Sequence, residues 1–198
     1  MVIKMALAQR KQETPYTYAD YLTWDDKQSW EIIDGIAYMQ AAPSWQHQRI
    51  SAQLGRQFLN YFQGKPCETY LAPFDLRLPE KNKADEESTT VLQPDILVIC
   101  DKSKLKGTGY FGVPTLIIEI VSPASSKMDK LYKFNKYEKA GVKEYWIVEP
   151  DYKVVSIFKL QDNEKYGRPD NYSEEDTIDA ETFTDLKIDL NQVFSLSS

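Results

Sequence analysis

Histidine and cysteine are nearly absent from this chain: His47 is the only histidine among 198 residues, and Cys67 and Cys100 are the only cysteines. The two cysteines lack zinc-motif spacing and sit beside strand-like runs, so they are expected as buried, reduced thiols, and a cytoplasmic location follows from that expectation. Long apolar runs are also missing. No segment approaches the roughly 20 residues needed to span a bilayer, and Lys4 interrupts the partly apolar N-terminus, which excludes a signal h-region. Residues 1–15 are expected as a flexible leader and 16–198 as one domain. No glycine-rich phosphate loop is present, which removes support for a sugar or nucleotide enzyme. Positive charge is not in excess: the net charge is -6, which argues against a general nucleic-acid coat protein. A nuclease can still be acidic if metal ions and a local basic loop face the phosphates. With 42% hydrophobic and 27% charged residues, the chain suits a globular protein with a sizeable core.

Against this background two carboxylates stand out. Asp95 opens the run Asp95-Ile96-Leu97-Val98-Ile99, and Glu119 interrupts Leu116-Ile117-Ile118-Glu119-Ile120-Val121. Both runs read as buried strands, where an ionised carboxylate is costly unless paired or bound to a metal. Sequential strands usually neighbour one another, so the pair suggests a cation site between them. The alternative is that Asp95 caps a turn after Pro94 and Glu119 answers a buried lysine.

The surrounding pattern predicts an α/β domain. Asp34-Gly35 is a hairpin turn within Trp30 to Gln40. Ser44 caps a helix through about Phe62, with Ile50, Leu54 and Phe58 at helical spacing. Strands are expected at about Cys67 to Ala72, Phe74 to Leu78, Asp95 to Cys100 and Thr115 to Val121. A helix from about Ser126 stops at Gly141, and strands follow at Glu144 to Val148 and Val154 to Leu160. The polar stretch Gln161 to Asp176 and the segment Leu186 to Leu190 read as a peripheral hairpin and tail. Glu80 to Thr90 is charged and lacks apolar anchors, which predicts a mobile excursion. Lys102 to Tyr110 is a local basic cluster that either reaches a phosphate backbone or is simply a solvated loop.

Pro94-Asp95, then Glu119-Ile120-Val121-Ser122-Pro123, then Asp129, Lys133 and Tyr137 at spacings of four, then Ala140 to Pro150 resembles the bacterial Uma-two type family described as putative restriction endonucleases, within the PD-(D/E)XK nuclease superfamily. Trp30 to Gly35, His47 and Ala72 to Leu78 resemble its further signatures, so the likeness runs from about Tyr18 to the C-terminus. The resemblance implies a restriction-endonuclease-like α/β fold: a central mixed β-sheet flanked by helices, core order αβββαβ, with an N-terminal β-hairpin extension. It further implies metal-dependent hydrolysis of DNA phosphodiester bonds with Mg²⁺ or Mn²⁺, DNA as substrate, and Asp95, Glu119 and Lys133 as catalytic residues.

Two or three oxygen ligands suffice for Mg²⁺, which keeps several waters; Asp95, Glu119 and the Ile120 carbonyl are the expected set, with His47 as a further ligand candidate. An imidazole would tilt the preference toward Mn²⁺. The superfamily lysine two residues after the glutamate is replaced by Val121, and the resemblance places its amine at Lys133. Asp129, Lys133 and Tyr137 lie along one helix face, and an ion pair of Asp129 with Lys133 at the surface is the alternative. His47 is otherwise a helix N-terminal group bonded to backbone. Glu31 and Asp75 are supporting candidates, unless Glu31 pairs across its hairpin and Asp75 pairs with Arg77 or Lys133. A homodimer is expected if both DNA strands are cut, with Tyr145, Trp146 and Phe158 as contact residues. The competing function is a nuclease-fold protein that binds nucleic acid or a protein partner without cleaving.

Overall fold

The computed structural model describes residues 9–10, 13–25 and 27–195. Most of the expected leader, residues 1–8, 11 and 12, lies outside these, while Gln9–Arg10 pair antiparallel with Ala37 and Tyr38. The chain forms two compact units.

The first unit draws on Met1–Ala42, Phe74–Gln93 and Lys104–Gly112. Its sheet runs Gln9–Arg10, Ile36–Met39, Trp30–Ile33, Val91–Leu92, Asp75–Arg77, Gly109–Phe111, Leu105–Lys106. Asp34 and Gly35 take φ of 51° and 76°, the positive values that a tight hairpin turn needs and that aspartate and glycine tolerate. A Cβ at position 35 would lie 2.4 Å from the Pro15 Cβ, so glycine also admits a close approach. Tyr18, Trp30, Ile32, Ala37 and Val91 form the core, with Trp24 packed edge-on against Trp30.

The excursion Glu80 to Thr90 is ordered, contrary to the sequence expectation. Arg77 is fully buried, its Nε donates to Asp85 Oδ1 at 2.9 Å and its NH2 to Oδ2 at 3.0 Å, and Asp85 is itself buried. A buried guanidinium requires a partner, and the charged segment supplies it by folding back over Arg77 with Asp85. Glu80 adds a second anchor by accepting from the Thr89 amide and hydroxyl.

The second unit comprises Pro43–Pro73, Pro94–Ser103 and Val113–Ser198. Its mixed sheet has the order Asp170–Ser173, Val154–Lys159, Glu144–Glu149, Leu116–Ile120, Ile96–Ile99, Glu68–Leu71. Leu116–Ile120 and Glu144–Glu149 are parallel, as a crossover through a helix requires; the other pairings are antiparallel. Helix Trp45–Phe62, strands Glu68–Leu71, Ile96–Ile99 and Leu116–Ile120, helical residues 126–140 and strand Glu144–Glu149 reproduce the αβββαβ order. The predicted strand at Phe74 to Leu78 belongs to the other sheet, as Asp75–Arg77.

Helix Trp45–Phe62 packs Ile50, Leu54, Phe58 and Phe62 on Ile96, Val98, Leu116, Ile118 and Ile120. Alternation along the strand therefore turns Glu119 to the opposite face, where the second helix lies. That helix ends at Gly141, whose φ of 89° suits glycine.

Three expectations are corrected here. Tyr145 and Trp146 are fully buried, so neither is available as a contact residue: their strand is internal to the sheet and covered on both faces. The C-terminal segment is integral: Ile178, Leu186, Ile188, Leu190, Val193 and Phe194 join the main core. Cys67 and Cys100 form a disulfide, and Cys100 is exposed. Glu68 pairs with Ile99 across antiparallel strands, so the residues one step outward face each other, a relation that motif spacing does not reveal. The reduced-thiol premise for a cytoplasmic location is thereby removed. Among the described residues no helix is long and apolar enough to cross a membrane.

Candidate active site

The register of two strands brings the carboxylates together. Ile118 pairs with Ile96 in the antiparallel ladder, so the next step outward sets Glu119 opposite Asp95. Asp95 stands just before its strand, with its carbonyl accepting from the Ala72 amide at 3.0 Å. Its Oδ2 accepts from the Ile120 amide at 2.7 Å, which ties the first carboxylate to the backbone beside the second.

The first helix supplies the other partner of Asp95. Ser44 caps it by accepting from the His47 amide, which fixes the first turn, and the His47 Nε2 reaches Asp95 Oδ1 at 3.1 Å. Burial works to lower the His47 pKa, but the hydrogen bond and charge of Asp95, the charge of Asp129 and hydrogen bonding to the Ile120 backbone outweigh it and raise the value. The Nδ1 atom is buried with no hydrogen-bond partner among the described residues.

The second helix serves Glu119. Glu119 is 3% exposed, and its Oε1 accepts from Lys133 Nζ at 3.1 Å and from Tyr137 OH at 2.7 Å. Lys133 Nζ also lies 3.5 Å from Asp129 Oδ1. The helix is widened into a π turn over Met128–Lys133, with the Phe134 amide bonded to the Asp129 carbonyl five residues back. Such turns are frequent at functional sites, and this one carries both Asp129 and Lys133. The ion pair that spacing alone allowed at the surface is buried instead, with Lys133 4% and Asp129 3% exposed. Glu119 does answer a buried lysine, and that lysine is Lys133.

Tyr145, expected from the sequence at a dimer contact, is instead a member of this network. Its hydroxyl donates to the Asp129 carbonyl at 3.0 Å, and burial first, then the charges of Glu119 and Asp129, push its pKa well above the ordinary value. It is therefore a fixed donor. Strand parity was the available signal: Glu119 pairs with Ile147, which puts Tyr145, two residues earlier, on the same face.

Glu31 and Asp75 belong to the first unit. Glu31 accepts from the Gln93 amide at 2.8 Å. The Asp75 carboxylate accepts from Tyr21, Gln93 and Thr108, while Arg77 donates to the Asp75 carbonyl oxygen. The lysine cluster is matched by acids: Lys102 pairs with Glu68 at 2.8 Å, and Lys106 pairs with Glu86 at 3.1 Å and with Asp85 at 3.4 Å. Lys102 and Lys106 fall in different units.

Among the described residues no group of three or more His, Cys, Asp or Glu side chains is placed to hold a metal ion. The donor set nevertheless fits a hard divalent ion that retains water, because two carboxylates and a backbone carbonyl are oxygen donors at adjacent positions. The buried Nδ1 of His47 has no partner among the described residues, so it is a polar group that an ion or its water could meet.

A family model described as "Uma2: Putative restriction endonuclease" matches residues 18–191. The uncharacterized protein slr1290 of Synechocystis sp. (strain ATCC 27184 / PCC 6803 / Kazusa) is 27% identical over 147 residues, covering 73% of this chain and 74% of the relative. The crystal structure of a "putative nuclease belonging to DUF820" from Anabaena variabilis ATCC 29413 superposes with a TM-score of 0.73 at 16% identity, covering 91% of this chain and 98% of that one. At that identity the likeness shows a shared fold.

Proposed function

From the premise that this chain belongs to the Uma2 family of putative restriction endonucleases, with a restriction-endonuclease-like fold, we propose that it is a metal-dependent endonuclease that hydrolyses DNA phosphodiester bonds at Asp95, Glu119 and Lys133. The observation that carries this reading is the register of Glu119 opposite Asp95 with Lys133 Nζ 3.1 Å from Glu119.

Asp95, Glu119 and the Ile120 carbonyl would hold Mg²⁺ or Mn²⁺, with His47 as a further ligand. When bound, the ion supplies a water of lowered pKa and offsets charge on the phosphoryl oxygens. The chain's own groups do the rest. Lys133 holds an ammonium beside Glu119, where it offsets negative charge developing on the phosphate in a water-poor site. Asp129 orients that ammonium, Tyr137 fixes the Glu119 carboxylate, and Tyr145 fixes the Asp129 backbone. His47 and the Ile120 amide hold the two oxygens of Asp95 in place.

One observation favours the non-catalytic reading: both carboxylates are already met by groups of the chain, Asp95 by His47 and Glu119 by Lys133. Titration calorimetry with Mn²⁺ separates the two readings. The endonuclease reading predicts saturable binding that Asp95→Asn and Glu119→Gln each abolish without altering the circular dichroism spectrum. Equal binding by the double variant would remove the metal site.

A further inference from the structure

The helix that brings Lys133 to Glu119 is joined to the Glu119 strand through two serines outside the catalytic set. The strand ends in the sheet, with the Val121 amide donating to the Val148 carbonyl at 2.8 Å. Ser122 and Ser125 then bond each other: the Ser125 amide donates to Ser122 Oγ at 3.1 Å, and the Ser122 amide donates to Ser125 Oγ at 3.0 Å. The Ser125 and Ser126 amides also donate to the Ser122 carbonyl. The arrangement is that of a capping box, with serine in place of the third-position glutamate or glutamine. Pro123 suits the first helical position, because its φ is fixed and it has no amide to leave unmet. The Ser125 carbonyl accepts from the Asp129 amide at 3.0 Å, so the box leads directly into the π turn.

The box consumes the amides of Ser122 and Ser125 that an anion at this helix start would need, so phosphate binding is not its role. Its place in the chain points to the π turn over Met128–Lys133, which bonds five residues back instead of four and is rare in proteins. Such a turn persists only where both flanks are held. The C-terminal flank is held by Phe134, whose ring packs edge-on against Tyr145, Phe158 and Tyr166. The N-terminal flank is held by the serine box. With that flank free, closing the wide turn into an ordinary α turn would rotate Asp129 by about one residue, roughly 100°, relative to Lys133. Asp129 Oδ1 lies 3.5 Å from Lys133 Nζ, and the Asp129 carbonyl accepts from Tyr145. The rotation would break both contacts.

We propose that Ser122 and Ser125 are positioning residues: their reciprocal hydrogen bonds clamp the N-terminal flank of the π turn and hold Asp129 against Lys133, which directs the ammonium to Glu119. Their part in catalysis rests on the endonuclease reading, but the clamp can be read without metal or DNA. The hydroxyls carry it, so threonine can replace either serine and alanine cannot.

The test follows the Lys133 ammonium in the full chain by proton–nitrogen correlation NMR in EDTA. A buried, hydrogen-bonded ammonium exchanges its protons slowly enough to be seen, and loss of the signal in Lys133→Met identifies it. Wild type is expected to show it. Ser122→Ala, Ser125→Ala and the double variant should keep a cooperative urea transition yet lose or shift that signal, whereas Ser122→Thr and Ser125→Thr should retain it. In cleavage assays with Mn²⁺ the alanine variants should lower kcat at least about tenfold and leave KM within about twofold, because a misplaced group costs rate more than binding. An unchanged Lys133 signal in the folded double variant would overturn the proposal, as would threonine variants that behave like the alanine ones or a wild type without the signal. Unfolding of all three alanine variants would also overturn it, by assigning the serines to the fold as a whole. No cleavage by wild type, with the signal responding as expected, would instead sink the endonuclease reading alone.

Discussion

A carboxylate buried in an apolar strand is destabilising unless hydrogen-bonded, and Glu119 meets that condition on one oxygen, from Lys133 and Tyr137. Val121 occupies the position two residues on, where the superfamily places its lysine. Strand alternation puts position 121 on the same face as Glu119, so an amine there and an amine arriving from the next helix would converge on one region. On the endonuclease reading, Lys133 would supply from the helix the charge that the superfamily lysine supplies from the strand. Tyr137 is fully buried, and Tyr137→Phe removes the hydroxyl without opening a large cavity. A hydrogen bond to a charged group contributes about 1.5–3 kcal/mol, so this variant should show a lower urea midpoint by that order with an unchanged slope. An unchanged midpoint would mean that the bond is not formed in solution.

Helices and strands were legible where one periodicity dominated. Ser44, the apolar spacing of Ile50, Leu54 and Phe58, and Gly141 set the two main helices, and Asp34-Gly35 set the hairpin. Sheet membership was not legible: adjacent strands Glu68–Leu71 and Asp75–Arg77 separate into different sheets, and local pattern carries no record of long-range pairing. The Cys67 to Cys100 bond and the burial of Tyr145 and Trp146 were hidden for the same reason. The order of Glu80 to Thr90 was missed because its anchor, Arg77, lies in a preceding strand. Within the site, the carboxylates and Lys133 could be named from sequence, whereas the π turn and the Tyr145 hydroxyl depend on packing. The anchored excursion has a measurable consequence. Asp85→Asn leaves the Arg77 guanidinium buried without its charge partner, which should cost about 3–5 kcal/mol. Burial works against the Asp85 carboxylate, but hydrogen bonding and charge from Arg77, with help from Lys106, hold its pKa below the ordinary 3.8. Because the folded value is the lower one, the stabilisation is complete above the unfolded pKa and is lost as pH falls through the folded value. The stability gap between wild type and Asp85→Asn should therefore narrow as pH falls below the unfolded carboxylate range, and urea titrations from pH 7 to pH 2.5 would expose a constant gap if this sign is wrong.

At the scale of the whole molecule, the net charge of -6 disfavours broad contact with duplex DNA, since sequence-independent affinity comes from cations that neutralise phosphates. The aromatics expected at a dimer contact include two buried ones, Tyr145 and Trp146. The homodimer remains the expectation for an enzyme that cuts both strands, so light scattering at micromolar concentration should give twice the 22.9 kDa of one chain, and the mass of one chain would rule it out. The central claim is that Asp95, Glu119 and Lys133 act together on a phosphodiester, and Lys133→Met isolates it by removing the ammonium while keeping the aliphatic stem. The direct measurement is the rate at which wild type and Lys133→Met cleave single-stranded and duplex DNA with Mg²⁺ or Mn²⁺. The account predicts wild-type cleavage, and a Lys133→Met rate at least about 10²-fold lower with Mn²⁺ binding retained, the scale of one electrostatic donor. Equal rates from a folded Lys133→Met protein, or no wild-type cleavage of any DNA with either ion, would contradict it.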